Sequence, residues 1–244
     1  MWDALGMDVL ALGPLRVRKI VKTSGTTSKN DRKAAAGPLV VVLMHGYGAP
    51  GDDLVSLAGA IDAPAGTTFL FPEAPSLLFD DARAWWPIDV GRFQRAMMRG
   101  TLDEVMRDVP DGLQGVRDDV VGMLDALEQQ TKGARVVLGG FSQGSMLALD
   151  VTLRTKRPLA GVVVMSGTLI AAAEWLPLMT ARKDLPVFQS HGKDDPILPY
   201  VIAERLRSAM DDAGMRVSFR SFEGGHGIPP TVMRDLGEWL HSVL

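Results

Sequence analysis

The chain of 244 residues contains no cysteine. A disulfide framework, a thiolate metal site and a thiol nucleophile are therefore excluded, and any nucleophile must be an oxygen or a lysine. A large excess of one sign of charge is also missing, because the net charge is only -3. No basic excess points to nucleic acid or to an anionic membrane surface as a partner.

Long hydrophobic runs are absent too, since no segment approaches the roughly 18 apolar residues that a membrane span needs. The amino-terminal stretch carries Asp3 and Asp8 and no leading lysine or arginine, unlike a secretory signal. We therefore expect a cytoplasmic protein with no membrane span. No linker divides the chain, so the sequence predicts a single domain over residues 1–244, with residues 1–14 as an N-terminal extension.

Short β-branched runs alternate with helical patterns along the rest of the chain. Strands are predicted at residues 15–23, 38–44, 67–72, 134–139, 159–166, 185–192 and 215–222. Helices are predicted at residues 52–60, 113–127, 143–156, 200–213 and 230–243. This alternation predicts an α/β fold: a doubly wound, mostly parallel sheet with helices on both faces and functional sites at the carboxyl ends of its strands.

Two segments carry weaker patterns. In residues 15–23 the polar and apolar positions alternate only at first, so we expect this strand at an edge of the sheet. Residues 73–100 show no clear period and are interpreted as a long connection that contains Trp85 and Trp86.

The stretch "GFSQG" places Ser142 between Gly140 and Gly144. It matches G-x-S-x-G, in which a serine lies on a strained turn between a strand and a helix and its hydroxyl projects above the sheet. Glycines are needed on both sides because side chains there would collide with the neighbouring strand and helix. A predicted strand before the motif and a predicted helix after it favour Ser142 as a nucleophile.

A serine nucleophile needs a base, and the chain has four histidines. The expected chain order is nucleophile, acid, then histidine. His226, in "EGGHGIPP" after the last predicted strand, fits that order and is predicted to be the base. We interpret His241 as a surface residue and His45 as a residue that braces the loop after the central strand.

The acid is expected in the loop "HGKDDPILP", which offers Asp194 and Asp195. Asp195 is favoured because the proline after it holds it extended. His191 and these aspartates could also be interpreted as a metal cluster, but a third clear ligand is missing, so no metal site is predicted.

An oxyanion in the transition state requires two N–H donors. Gln143, directly after the nucleophile, and Tyr47, between two glycines in "HGYGAPGDDL", are the candidates. Asp52 or Asp53 is predicted to cap the helix that follows this loop.

The stretches "HGYGAPGDDL", "ARAWWPID", "GGFSQGSMLAL", "HGKDDPILP" and "GGHGIPP" cover most of the chain in this order. Together they resemble the phospholipase/carboxylesterase family, the small carboxylesterases of the α/β-hydrolase superfamily related to acyl-protein thioesterases. The resemblance implies an α/β-hydrolase fold with no inserted cap domain. It also implies a triad of Ser142, Asp195 and His226, with the N–H groups of Tyr47 and Gln143 as the oxyanion hole.

An apolar acyl groove is expected to be lined by Trp85, Trp86, Leu77, Leu78 and Phe79, unless these side chains only cover the sheet. The sequence differs from the family at Tyr47, where relatives have an apolar residue, and in residues 85–89, the stretch that borders the acyl site of relatives. The expected effect of these changes is on the preferred chain length.

The predicted function is serine carboxylesterase activity on a small-molecule ester with a short to medium acyl chain, with no cofactor. An acyl-protein or acyl-CoA thioesterase or a lysophospholipase is the alternative within the same chemistry. A binding module that kept the fold and lost the chemistry is the alternative outside it. The sequence leaves the oligomeric state open.

Overall fold

A computed structural model describes residues 6–23 and 37–243 of the chain. Eight strands in these residues form one sheet, and two more form a separate hairpin. The sheet strands are β1 (Asp8–Leu12), β2 (Leu15–Val21), β3 (Leu39–Met44), β4 (Thr68–Pro72), β7 (Arg135–Phe141), β8 (Gly161–Met165), β9 (Pro186–Gly192) and β10 (Arg216–Phe222). The hairpin strands are β5 (Ser76–Phe79) and β6 (Ala82–Ala84).

The strand order in the sheet is β1-β2-β4-β3-β7-β8-β9-β10. All pairs from β4 to β10 are parallel, whereas β2 runs antiparallel to both of its neighbours. The central strand β3 is buried on both faces, as its continuous apolar sequence predicts. The carboxyl ends of β3, β7, β8, β9 and β10 therefore lie along one edge of the sheet.

Eight α-helices connect the strands in the described residues. They are α1 (Leu57–Ala60), α2 (Val90–Arg99), α3 (Leu102–Arg107), α4 (Leu113–Gln130), α5 (Gln143–Arg154), α6 (Ala172–Met179), α7 (Tyr200–Asp212) and α8 (Pro230–Ser242). Helices α1 and α8 pack on one face of the sheet, and α4 to α7 pack on the other. No helix among them is both long and apolar enough to cross a membrane.

The amino-terminal strands correct one prediction. Residues 15–21 do not form an edge strand, because β1 pairs antiparallel outside them, from Asp8 opposite Lys19 to Leu12 opposite Leu15. Strand β1 lies within the segment predicted to be an N-terminal extension. Its side chains are mostly exposed, so its sequence has no strong apolar alternation.

The helix predicted from residue 52 starts later than expected. Consecutive turns precede it, with hydrogen bonds from Asp53 N to Pro50 O and from Val55 N to Asp52 O, and α1 begins at Leu57. Neither Asp52 nor Asp53 caps it, because Ser56 is the N-cap residue and makes no side-chain cap hydrogen bond. The local turns satisfy backbone groups that a cap would otherwise bind.

Residues 73–100 contain regular structure that their sequence did not reveal. The β5–β6 hairpin comes first, and α2 follows it. Asp89 caps α2 by accepting a hydrogen bond from Arg92 N at 2.7 Å, and Gly100 ends α2 in the left-handed conformation, with φ of 70°. Helices α2 and α3 pack against each other, and we call this pair the two-helix cover.

Candidate active site

Ser142 lies on the turn between β7 and α5, with φ of 52° and ψ of -120°. A non-glycine residue adopts this conformation only where the surrounding structure enforces it. The turn packs against the end of β3: a Cβ atom on Gly144 would lie 2.2 Å from the carbonyl oxygen of Met44, and one on Gly140 would lie 2.4 Å from the same oxygen. Ser142 N also donates to Met165 O at 2.8 Å. Glycine is therefore required on both sides of Ser142.

Asp195 and His226 are brought together from the loops after β9 and β10. The distance from His226 Nδ1 to Asp195 Oδ2 is 2.7 Å. The other carboxylate oxygen of Asp195 accepts from the backbone N–H groups of Ile197 and Leu198, each at 2.9 Å. Asp194 is exposed, so the structure places Asp195, not its neighbour, against the histidine.

The surroundings of Asp195 keep its carboxylate ionised. Burial by itself would raise its pKa, since Asp195 is only 6% exposed. Hydrogen bonds from His191, from His226 and from the backbone of Leu198 outweigh burial and hold the pKa of Asp195 well below its usual value. An anion at this position can orient an imidazole and stabilise its protonated form.

Ser142 and His226 line the same cavity. The ring of Phe141, the residue before Ser142, packs against the His226 ring with centroids 4.8 Å apart. No hydrogen bond joins the Ser142 hydroxyl to His226 within the described residues. Such hydrogen bonds are often long without substrate and shorten when substrate binds.

Tyr47 and Gln143 also line this cavity. Among the described residues, no acceptor is bonded to the backbone N–H of either one. The loop that carries Tyr47 is held by β6, because Gly48 N donates to Arg83 O at 2.8 Å and Arg83 N donates to Ala49 O at 3.1 Å. Both N–H groups therefore lack an acceptor among the described residues, which is a condition for an oxyanion hole.

His45 is buried behind this loop. Its Nε2 accepts from Ala74 N at 3.1 Å, so its Nδ1 carries the proton and donates to Gly46 O at 2.9 Å. Burial lowers the pKa of His45, which keeps the ring neutral. Trp85 Nε1 donates to His45 O at 2.9 Å. These bonds give His45 the bracing position that its sequence context suggests.

The side chain of Gln143 has contacts that the sequence does not reveal. It is 1% exposed, and it accepts from Trp85 N at 2.9 Å and donates to Trp86 O at 2.8 Å. Its amide therefore ties the first turn of α5 to a segment nearly sixty residues earlier in the chain. No local sequence signal marks such a pairing.

The cavity has a volume of about 970 Å³ and a mostly apolar wall. Besides the residues around Ser142, it is lined by residues of α2, α3, α5 and several loops; examples are Phe93, Met97, Met106, Met146, Ile170 and Leu198. We call this space the Ser142 cavity. The two-helix cover formed by α2 and α3 supplies wall residues that were not predicted.

Most residues of the predicted acyl groove do not line the Ser142 cavity. Trp86 lines the Ser142 cavity, but Trp85 is packed behind it with its indole N–H bonded to His45. Leu77, Leu78 and Phe79 lie outside the cavity wall, exposed on the β5–β6 hairpin. The hairpin is a separate sheet whose outer strand is uncovered, so apolar side chains on it face solvent.

The two remaining histidines, His191 and His241, do not line the Ser142 cavity. His191 is fully buried beside Asp195, and His241 lies on α8 near the carboxyl end. Within residues 6–23 and 37–243, no three histidine, aspartate or glutamate side chains are arranged to hold a metal ion.

The sheet order, the strained serine turn and the loops that follow β9 and β10 define an α/β-hydrolase. The chain belongs to the phospholipase/carboxylesterase family, whose model matches residues 26–244. Acyl-protein thioesterase 1 of Emericella nidulans is 27% identical over 221 residues, which is 84% of this chain and 90% of that protein. Acyl-protein thioesterase 1 of Cryptococcus neoformans is 27% identical over 228 residues, 84% of this chain and 92% of that protein.

Solved structures show the same fold. The crystal structure of esterase PE8 has a TM-score of 0.68 at 24% identity and covers 95% of this chain and 98% of its own. That of a carboxylesterase from Mesorhizobium loti has a TM-score of 0.71 at 16% identity and covers 96% and 98%. Family and relatives together make the protein an ester hydrolase.

Proposed function

We propose that the protein is a serine carboxylesterase in which Ser142, His226 and Asp195 form a catalytic triad. The observation that carries the proposal is the 2.7 Å hydrogen bond between His226 and Asp195. His226 lines the same cavity as Ser142, whose backbone is strained. Strain of this kind is typical of residues whose side chain must project into a site.

In the proposed mechanism, His226 Nε2 takes the proton of Ser142 Oγ as that oxygen attacks the ester carbonyl carbon. The carbonyl oxygen becomes an oxyanion and accepts hydrogen bonds from the N–H groups of Tyr47 and Gln143. His226 then donates its proton to the leaving alcohol, the carbon–oxygen bond breaks, and an acyl group remains on Ser142. Water hydrolyses this acyl-enzyme by the same steps, and Asp195 stabilises the imidazolium each time.

The Ser142 cavity supports an apolar acyl chain as the substrate group. Its volume of about 970 Å³ lies near the upper end of the roughly 300–1,000 Å³ range of small-molecule pockets. The wall contains Met97, Met106 and Met146, and methionine side chains adapt to irregular apolar ligands. We therefore propose medium to long acyl chains, longer than the short to medium chains expected from the sequence.

A thioester substrate is the second candidate, because two of the relatives are acyl-protein thioesterases. The same nucleophile and oxyanion hole serve an alcohol or a thiol leaving group. Comparing turnover of a fatty acyl-CoA with that of the nitrophenyl ester of the same acid separates the two preferences.

The direct test measures hydrolysis of p-nitrophenyl esters from acetate to palmitate. The wild-type protein should show its highest kcat/KM with a medium or long acyl chain. Ser142→Ala should hydrolyse every ester at only the background rate. Ser208→Ala, on the exposed surface of α7, is the matched control and should match wild type. Absence of turnover at every chain length, together with no labelling by a fluorophosphonate, would instead support a binding module.

A further inference from the structure

His191 is a buried titratable side chain that the proposed mechanism does not use. It lies at the end of β9 and is fully buried. Its Nε2 is 2.7 Å from the carbonyl oxygen of Leu198 and 3.2 Å from Asp195 Oδ2. Its Nδ1 has no hydrogen-bond partner within the described residues. A residue that only filled space here would not need a polar ring.

The hydrogen-bond partners of His191 determine which of its nitrogens carries the proton. Both neighbours of Nε2, the Leu198 carbonyl and the Asp195 carboxylate, are acceptors only. Nε2 must therefore be the protonated nitrogen, and its single hydrogen is shared between two oxygens. In this tautomer Nδ1 is a bare acceptor.

We propose that His191 is a positioning residue for the triad and acts through Asp195, an inference that rests on the proposed function. Oδ1 of Asp195 is held by two backbone N–H groups, those of Ile197 and Leu198. Oδ2 receives His226 on one side and His191 on the other. A carboxylate with donors on both oxygens has little rotational freedom, so Oδ2 stays directed at the His226 imidazole.

The bond from His191 to Leu198 has a second effect on the same loop. Residues 195–198 fold back so that the Leu198 backbone gives its N–H to Asp195 and its carbonyl to His191. Leu198 itself lines the Ser142 cavity. Loss of the His191 donor would leave a buried carbonyl without a partner and would free the loop that carries the carboxylate.

Two amide substitutions separate this role from simple packing. The amide nitrogen of glutamine can occupy the position of Nε2, whereas that of the shorter asparagine corresponds to Nδ1. We expect His191→Gln to keep kcat for a p-nitrophenyl ester within about threefold of wild type. His191→Asn should lose about 10- to 100-fold in kcat, with KM changed by less than about threefold; the loss is of the size seen when a residue that orients a metal-binding side chain is replaced. Equal kcat values for the two variants would overturn the proposal.

A double-mutant cycle tests whether His191 acts through Asp195. In an Asp195→Asn background, His191→Asn should change the residual kcat by less than about threefold, because the oriented carboxylate is already absent. A full 10- to 100-fold loss in that background would show an independent effect and contradict the proposal. An inactive wild type, or a Ser142→Ala variant as active as wild type, would instead contradict the proposed function itself.

The tautomer can be measured on the wild-type protein, so the proposal stays testable if a variant fails to fold. Nitrogen-15 NMR of histidine-labelled protein should show a proton on His191 Nε2. Ser142→Ala should leave these resonances in place. A proton on Nδ1 alone would refute the arrangement, because Nε2 could then donate to neither oxygen.

Discussion

Replacing Gln143 by methionine removes both hydrogen bonds that join the start of α5 to the backbone of Trp85 and Trp86. Methionine fills a similar volume, so the change acts mainly on these two bonds. The Trp85 N–H and the Trp86 carbonyl belong to buried residues and would be left without partners. Each unsatisfied group costs about 1–3 kcal/mol, so the free energy of unfolding should fall by about 2–6 kcal/mol.

Denaturant unfolding measures this loss directly. Gln114→Met, at an exposed position on α4, is the matched control and should change stability by less than about 0.5 kcal/mol. A loss below about 1 kcal/mol for Gln143→Met would refute the reasoning, because two buried backbone groups would then lack partners at little cost. If Gln143→Met unfolds during purification, a loss at the upper end of the range is indicated, since domains have only about 5–15 kcal/mol in total.

The same variant also separates two roles of one residue. The backbone N–H proposed for the oxyanion hole remains in Gln143→Met, whereas the side-chain hydrogen bonds to Trp85 and Trp86 do not. Because Trp86 lines the Ser142 cavity, kcat/KM should fall more for a long acyl ester than for the acetate. An equal loss for both esters would contradict this division.

Asp195→Asn should lower kcat about 10⁴-fold, measured with the preferred nitrophenyl ester. The pKa of Asp195 in the folded protein lies below its usual value, so the ionised carboxylate stabilises the fold above about pH 4, and this stability is lost as the pH falls through the folded pKa. Denaturant titrations from pH 7 to pH 3 should therefore show a shrinking difference in the free energy of unfolding between wild type and Asp195→Asn. Gly144→Ala should lose both stability and activity, because its Cβ would lie 2.2 Å from a backbone oxygen. Gly115→Ala is the control on α4, where no atom lies close to the added Cβ. Thermal unfolding should show that Gly115→Ala stabilises the protein by about 0.5–1 kcal/mol. Met97→Trp should fill part of the Ser142 cavity and move the preferred ester towards shorter chains; an unchanged chain-length profile would exclude α2 from the acyl site.

Local patterns account for the parts of the site that the sequence predicted. The turn at Ser142 is predictable because its glycines avoid collisions with atoms a few residues away in the chain and with one neighbouring strand, β3. Asp195 and His226 could be placed because parallel strands bring the loops at their carboxyl ends to one edge of the sheet. The hydrogen bond between them follows from that placement.

The cavity wall could not be predicted in the same way. Phe93, Met146 and Leu198 lie in different elements, far apart in the chain, and only the packed fold brings them around one space. Apolar composition alone misplaced Leu77 and Phe79, because an apolar run does not reveal that its strand pairs outside the main sheet. The hydrogen bonds of Gln143 and His191 depend on such long-range packing as well.

Intact-protein mass spectrometry after reaction with a fluorophosphonate tests the central claim most directly. We expect one adduct per chain, located by peptide mapping on Ser142, absent in Ser142→Ala and formed far more slowly in His226→Gln. Ser208→Ala should be labelled as fast as wild type. An unlabelled wild type, or an adduct on any other residue, would contradict the assignment of Ser142 as the nucleophile.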